Sequence, residues 1–153
     1  MPKTYSKIYL HYIFTPKYRN AIILPEFEER LYKYISGIVK SLDQTLIQIN
    51  GMPDHIHLLV RLKPTMASAT FIQKVKGNSS KWINEQKFLP KKFRWQIGSA
   101  VFSVDYRKVD IVKNYIKHQK EHHNNVPFKK EFVKILDAYK VEYDKDDIEE
   151  FFL

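Results

Sequence analysis

The segment His55–Leu62 constrains the fold of this chain more than any other. Its side chains alternate, with aliphatic residues on one side and His55 and His57 on the other, as is typical of a β-strand. The preceding Gly51–Asp54 is typical of a turn, and Gln44–Asn50 before it is typical of a second strand. The pattern therefore predicts a hairpin that holds two imidazoles on one face of a sheet.

The other hydrophobic periodicities place this hairpin in the order β-α-β-β-α-β, followed by helices. In chain order we expect a strand over Tyr5–Phe14, a helix over Pro25–Leu42, the two hairpin strands, a helix over Thr65–Gln86, a strand over Trp95–Val104, a helix capped by Asp105 or Ser103 that ends near His123, and a shorter helix from Pro127. This order is typical of the α+β fold called ferredoxin-like or RRM-like, an antiparallel sheet with helices on one face. We therefore expect His55 and His57 on the opposite, open face.

A chain of 153 residues is most simply one domain with a real core. We divide it into a main unit over residues 1–126, which includes the helix at about 106–123, and an acidic helical tail over residues 127–153. The tail belongs to the same domain, or it is a dimer arm, a cover for a site or a partner site. Its apolar residues recur at helical spacing and predict a helix that docks on another surface: Phe132, Ile135, Leu136 and Tyr139.

The charge is unevenly distributed. Glu131–Leu153 carries 3 basic and 8 acidic residues, whereas Met1–Lys130 carries 23 basic and 9 acidic residues. A basic body suits the phosphate backbone of a nucleic acid, and aromatic residues among the basic ones favour single strands. The absence of cysteine excludes disulfides and thiolate chemistry. With no long apolar run and no signal-peptide pattern, we expect a cytoplasmic protein without a membrane segment.

Two groups of polar residues are candidates for chemistry. His55 and His57 form half of a metal site, or they are two polar residues on a wet sheet face. Tyr115 and Gln119 share one face of the predicted third helix, where spacing alone favours a half-buried tyrosine beside a solvated glutamine. His122 and His123 could themselves be metal ligands. More commonly, histidines near the C-terminus of a helix interact favourably with the helix dipole.

Several separate blocks of sequence, in this order, resemble the HUH-type single-tyrosine transposases of bacterial insertion sequences, including their REP-associated relatives. The similar blocks extend from about Tyr5 to about His123 and comprise His11, Lys17-Tyr18-Arg19, Gly51 to His57, Lys76 to Ser80, Trp95 to Gly98, Ser103-Val104, Tyr115 to Gln119, and His122-His123. Each block alone is weak evidence, but their order and spacing together are specific.

The resemblance implies a role for each matching residue. It implies that His55, His57 and Gln119 bind a divalent cation, Mg²⁺ or Mn²⁺, and that Tyr115 is the nucleophile. It also implies a nucleoid-associated homodimer whose active sites form within one subunit or between two. The implied substrates are single-stranded DNA ends, often with hairpins, which are cleaved and rejoined without ATP through a 5′-phosphotyrosine. No residue is identified as the base for Tyr115.

Weaker predictions concern DNA contacts and supporting residues. The candidate phosphate contacts are basic residues of the main unit: Lys17, Arg19, Lys74, Lys76, Lys81 and Arg94. Asp54 orients a histidine or only ends the turn, and His11 is structural. Two other functions remain open at this point. One is a domesticated module that binds hairpins without transposition, and the other is a phosphodiesterase that uses water and the histidine pair with His118 or His122.

Overall fold

The computed structural model describes residues 3–123 and 126–151, without the side chains of Arg19, Glu150 and Phe151. Within them, one antiparallel sheet has the strand order β2-β3-β1-β4. Its strands are β1 (Ile8–Phe14), β2 (Thr45–Met52), β3 (His55–Leu62) and β4 (Ala100–Val104). Helix α1 (Pro25–Ser41) joins β1 to β2, and helix α2 (Ser68–Gln86) follows β3. The predicted α+β, ferredoxin-like order is confirmed.

The first face of the sheet packs against α1 and α2. Ile56, Leu58 and Val60 of β3 are fully buried there. Helix α1 contributes Phe27 and Leu31, one turn apart, to the same core. The alternation of β3 therefore determines which side chains enter the main core, and it sends the histidines to the other face.

The second face is also covered, which corrects the expectation of an open histidine face. In the described part of the chain, four α-helices follow β4: α3 (Val109–Lys117), α4 (Gln119–His122), α5 (Phe128–Ala138) and α6 (Lys145–Phe151). Ile116 of α3 packs on Leu59, and Phe132 of α5 belongs to the cluster around Ile13. His55 and His57 are each 0% exposed. Their alternation was predicted correctly, but their exposure was not, because the tail folds back over them.

The predicted third helix is broken. Residues 106–108 form a 3-10 turn, in which the Arg107 backbone amide donates a hydrogen bond to the Asp105 carboxylate. His118 separates α3 from α4. The His118 ring is exposed and its Nδ1 lies 2.7 Å from the Asn114 carbonyl oxygen. A side chain that competes for helical carbonyls in this way favours a helix end.

The predicted fourth strand is shorter than expected. Trp95 makes only an isolated bridge to Pro16, and its indole donates a hydrogen bond to Ser79 Oγ at 3.0 Å. Gly98, with φ of 84°, turns the chain before β4 begins. β1 begins at Ile8 rather than Tyr5, and α2 begins at Ser68 rather than Thr65.

Gly51 is required by the close approach of β2 to β3. A Cβ atom at this position would lie 2.1 Å from the His55 carbonyl oxygen. The hairpin therefore fixes the backbone of His55 through a contact that only glycine permits. Among the described residues, none of the helices is both long and apolar enough to cross a membrane.

Candidate metal and tyrosine site

The two histidines of β3 lie at the centre of the sheet. His55 is opposite Met52 of β2, and His57 is opposite Ile13 of β1. β3 lies between β2 and β1 in the sheet, which fixes the backbone that carries both imidazoles.

Each ring is also oriented through its Nδ1 atom. His55 Nδ1 lies 2.7 Å from Asp54 Oδ1, and His57 Nδ1 lies 2.8 Å from His11 Nε2. Asp54 therefore supports His55 from the turn, as one of its two predicted roles required. The Nε2 atoms of both rings are left to face a common space beneath the C-terminal helices.

Burial keeps two of these rings neutral. Burial lowers the pKa of His11 to about 3, and the neighbouring His57 ring acts in the same direction. Burial also lowers the pKa of His57 to about 4, although hydrogen bonding to Glu131 acts in the opposite direction. A neutral imidazole retains a lone pair, which is the form that binds a metal ion.

Although the helix is broken at His118, Tyr115 and Gln119 both lie next to the His55–His57 pair. Gln119 is fully buried, and its Oε1 lies 3.1 Å from His55 Nε2. The Tyr115 ring stands edge-on to His57 with 5.9 Å between ring centroids. All four residues that the resemblance assigned to the site therefore meet within one chain.

Sequence reasoning missed Glu131, which lies at the centre of the site. It is 2% exposed on α5, and its carboxylate accepts hydrogen bonds from Tyr115 and from Gln119 Nε2 at 3.2 Å. Its oxygens lie 3.0 Å from His57 Nε2 and 2.9 Å from His123 Nε2. A signal for it exists in the sequence, because this acid interrupts the apolar stripe of an amphipathic helix.

The pKa of Glu131 is lowered in the folded chain, whereas the pKa of Tyr115 is raised. Burial alone would raise the pKa of Glu131, but hydrogen bonds from His123 and His57 outweigh it and hold the pKa well below its ordinary value. Burial and the neighbouring carboxylate raise the pKa of Tyr115 well above its ordinary value. In this arrangement Glu131 is ionised and the Tyr115 hydroxyl keeps its proton.

The site has the composition of a metal centre. His55, His57, His123 and Glu131 each offer one ligand atom, and these atoms all lie within 4.8 Å of one another. Imidazole nitrogens with a carboxylate or amide oxygen fit zinc and manganese. Gln119 Oε1 faces the same space, so both the predicted amide ligand and an unpredicted carboxylate are within reach.

The other candidate histidines differ in position. His122 Nε2 lies 3.3 Å from Glu131, at the edge of the site. His118 is exposed and directs its ring to its own helix. Within the described residues, the water-based alternative therefore keeps His122 as a candidate but not His118.

Three of the predicted DNA contacts share one groove. Lys76, Lys81 and Arg94 line a groove of about 1020 Å³ between α2 and residues 92–99. Lys76 donates hydrogen bonds to the Gln96 and Gly98 carbonyls at 2.7 and 2.9 Å, and burial lowers its pKa to about 8. Lys76 therefore also supports the groove wall.

The remaining predicted contacts lie elsewhere. Lys17 lines a neighbouring depression, which Arg94 also borders, and Lys74 is exposed on α2. The side chain of Arg19 lies outside the described residues.

Comparison with known proteins finds relatives among the transposases of insertion sequences. The chain is 29% identical over 117 residues to the transposase for insertion sequence element IS200 of Salmonella typhimurium, covering 72% of this chain and 76% of the relative. It is 31% identical over 71 residues to the ISDra2 transposase TnpA of Deinococcus radiodurans, covering 46% and 51% of the two chains.

Two solved structures share the fold. A candidate transposase of Deinococcus radiodurans superposes with a TM-score of 0.63 at 24% identity, covering 78% of this chain and 98% of that one. A REP-associated tyrosine transposase bound to a REP hairpin superposes with a TM-score of 0.62 at 14% identity, covering 82% and 74%. The profile of the family described as "Transposase IS200 like" matches residues 4–119. Because that match covers most of the chain, the protein belongs to the IS200-like transposase family.

Proposed function

We propose that this transposase cleaves and rejoins single-stranded DNA at the ends of an insertion sequence, with Tyr115 as the nucleophile. The observation that carries the proposal is the meeting of Tyr115 with the His55–His57 pair in one buried cluster. His55 and His57 are fully buried and Tyr115 is half-buried beside them. Burying several polar groups together is unfavourable for packing alone, because each buried polar atom needs a hydrogen-bond partner.

The reaction conserves the energy of the DNA backbone. The Tyr115 oxygen forms a bond to phosphorus, and the bond to the 3′-oxygen breaks, leaving a 5′-phosphotyrosine and a free 3′-hydroxyl. A second 3′-hydroxyl then attacks the same phosphorus and releases the tyrosine, so no ATP is needed. Asp54 and His11 hold the two imidazoles in place throughout.

His55, His57 and Gln119 would hold a divalent cation such as Mg²⁺ or Mn²⁺ during this reaction. Such an ion supplies Lewis acidity that withdraws charge from the scissile phosphate and stabilises the leaving oxygen. Tyr115 must lose its proton to react, and burial together with the neighbouring Glu131 carboxylate raises its pKa, which disfavours the phenolate in this arrangement.

The basic groove supports a DNA partner. Lys81 and Arg94 place exposed cations along it, and the exposed Ile97 offers an apolar surface beside them. A structural neighbour is a REP-associated transposase bound to a REP hairpin, which favours a hairpin end as the ligand. The homodimer stays a prediction that a molar-mass measurement tests.

A covalent-capture assay tests the proposal. The protein is incubated with labelled single-stranded oligonucleotides that carry the hairpin flanking its own gene, with Mg²⁺ or Mn²⁺, and resolved on a denaturing gel. We expect a protein–DNA band that Tyr115→Phe abolishes and that Tyr106→Phe, an exposed tyrosine next to α3, leaves unchanged.

Two outcomes contradict the proposal. Cleavage that survives Tyr115→Phe assigns the site to a phosphodiesterase that uses water. Tight hairpin binding with neither cleavage nor a covalent band assigns the chain to a binding module without transposition.

A further inference from the structure

We propose that a zinc-class ion binds His55, His57, His123 and Glu131 and thereby fastens α5 over Tyr115. This ligand set differs from the His55–His57–Gln119 set above, because two of its members come from the segment that follows Gln119. The inference rests on the proposed function only for its consequence, a resting state of the same site.

Three imidazoles point the same nitrogen at one carboxylate. The Nε2 atoms of His55, His57 and His123 lie 3.8, 3.0 and 2.9 Å from Glu131 oxygens. Zinc bonds to nitrogen and oxygen of about 2.0–2.2 Å place tetrahedral ligands about 3–4 Å apart. The separations from Glu131 fit this range, and the four ligand atoms all lie within 4.8 Å of one another.

The far side of each ring has the support typical of a metal ligand. His55 Nδ1 faces the Asp54 carboxylate, His57 Nδ1 faces His11, and His123 Nδ1 lies 2.6 Å from the Val126 carbonyl oxygen. Asp54 and Val126 can only accept, so the Nδ1 atoms of His55 and His123 carry protons. The Nε2 atoms of His55 and His123 are then the ring atoms that face Glu131, on the side where a metal ion would bind.

The donor set selects the ion. Three imidazole nitrogens and one carboxylate form a set of intermediate softness that binds Zn²⁺ more tightly than Mn²⁺. Mg²⁺ prefers six oxygen ligands and retains its waters, so this set binds it poorly. The resting site and the proposed catalytic site should therefore differ in metal preference although they share two histidines.

Binding at this set would keep α5 closed. The Phe128 ring is stacked on His55 with 3.9 Å between centroids, and Glu131 also accepts a hydrogen bond from the Tyr115 hydroxyl. A tetrahedral ion with four protein ligands has no open position for a phosphate oxygen. When the ion is bound by this set, Glu131 therefore holds the Tyr115 hydroxyl and the ion has no position left for the substrate.

Metal titration of the full chain tests the ligand set. Chelator-treated protein is titrated calorimetrically with ZnCl₂, MnCl₂ and MgCl₂, and bound zinc is counted by elemental analysis. We expect one zinc per chain, with Glu131→Gln and His123→Ala each weakening zinc affinity by about 10-fold or more. Glu121→Gln and His118→Ala, exposed residues of the same types, leave the affinity unchanged.

Gln119→Ala separates the two ligand sets. An unchanged zinc affinity in Gln119→Ala supports the tail set. Zinc affinity that falls in Gln119→Ala but not in Glu131→Gln and His123→Ala overturns it, and so does absence of zinc binding by the wild-type chain. Circular dichroism and thermal unfolding in chelator identify a variant that fails to fold, and His123→Gln then replaces His123→Ala.

Amide hydrogen exchange reports on the tail. Zinc should protect the amides of α5 in the wild-type chain and in Tyr115→Phe, but not in Glu131→Gln. Equal protection with and without zinc in the wild-type chain contradicts the fastening role. A missing covalent band with intact zinc protection refutes the proposed function alone, which keeps the two failures distinguishable.

Discussion

His11 shows how a single side chain supports the site without belonging to the ligand group. Its Nε2 lies 2.8 Å from His57 Nδ1, and the two rings stack with centroids 5.0 Å apart. The contact fixes which nitrogen of His57 faces Glu131. Because both rings are buried and neutral, they resist protonation more strongly in the folded chain than in the unfolded chain.

This resistance predicts a pH dependence of stability. Below their ordinary pKa of 6.5, His11 and His57 take up protons in the unfolded chain but not in the folded chain. In chelator, the free energy of unfolding should therefore fall from pH 6.5 to pH 5, by at most about 1.4 kcal/mol per pH unit for each histidine. Urea unfolding at several pH values measures it.

The variant His11→Asn isolates one contribution. The free energy of unfolding of this variant should depend less steeply on pH between 6.5 and 5, whatever its value at pH 7. Glu131 and Asp54 titrate at lower pH, and His123, whose pKa is raised, loses its stabilising contribution only as the pH rises above 6.5. An unchanged slope in His11→Asn would mean that His11 is accessible to protons in the folded chain.

His57→Ala tests whether the buried pair serves chemistry rather than DNA binding. We expect the covalent protein–DNA band to disappear, because the ring adjacent to Tyr115 is lost, while hairpin affinity stays close to that of the wild-type chain. Gel-shift and covalent-capture assays on the same preparation measure both. Loss of hairpin binding in a folded His57→Ala protein would contradict a purely catalytic role.

At the level of elements, the hairpin of β2 and β3 is the frame of the site. Its register pairs Gly51 with Ile56 and Met52 with His55. This frame was predictable, because alternation and turn residues are local signals. The break of the third helix and the short β4 were not, since both depend on contacts such as Trp95 with Ser79 that form only in the folded chain.

Gly51→Ala should disturb the site through this frame. The added methyl would overlap the His55 carbonyl, so we expect a loss of roughly 1–3 kcal/mol in the free energy of unfolding, with weaker zinc binding as His55 shifts. Gly37→Ala is the matched control, because Gly37 is exposed in α1 with open space around it and should gain stability. Equal effects of the two substitutions would contradict the close approach.

At the scale of the whole molecule, the long basic segment Met1–Lys130 and the short acidic segment Glu131–Leu153 carry opposite net charge and meet at the site. The basic body provides the groove and the acidic tail provides Glu131. The family match ends at Gln119, so His123 and Glu131 lie beyond the segment that the family profile covers. The resemblance predicted that the histidine pair and Tyr115 lie together, as they do in the structure. Glu131 was not predicted, because it is far from His57 in sequence and only the folded tail brings it there.

The groove predicts a salt-dependent interaction with DNA. Lys81→Ala and Arg94→Ala should each weaken hairpin binding and reduce the salt slope of log affinity by about 1. Lys33→Ala, an exposed lysine of α1 that pairs with Glu29 at 3.4 Å, is the control. Fluorescence anisotropy at several salt concentrations measures the slopes, and a larger effect for Lys33→Ala would move the DNA path to another surface.

The covering of β3 by α5 also has a consequence in time. A ribosome releases a chain from its N-terminus, so His55, His57, Tyr115 and Gln119 emerge before Glu131 does. The sheet residues of the site therefore precede in the chain the helix that covers them, and the contacts of Glu131 with His57 and His123 form only when α5 docks on β3.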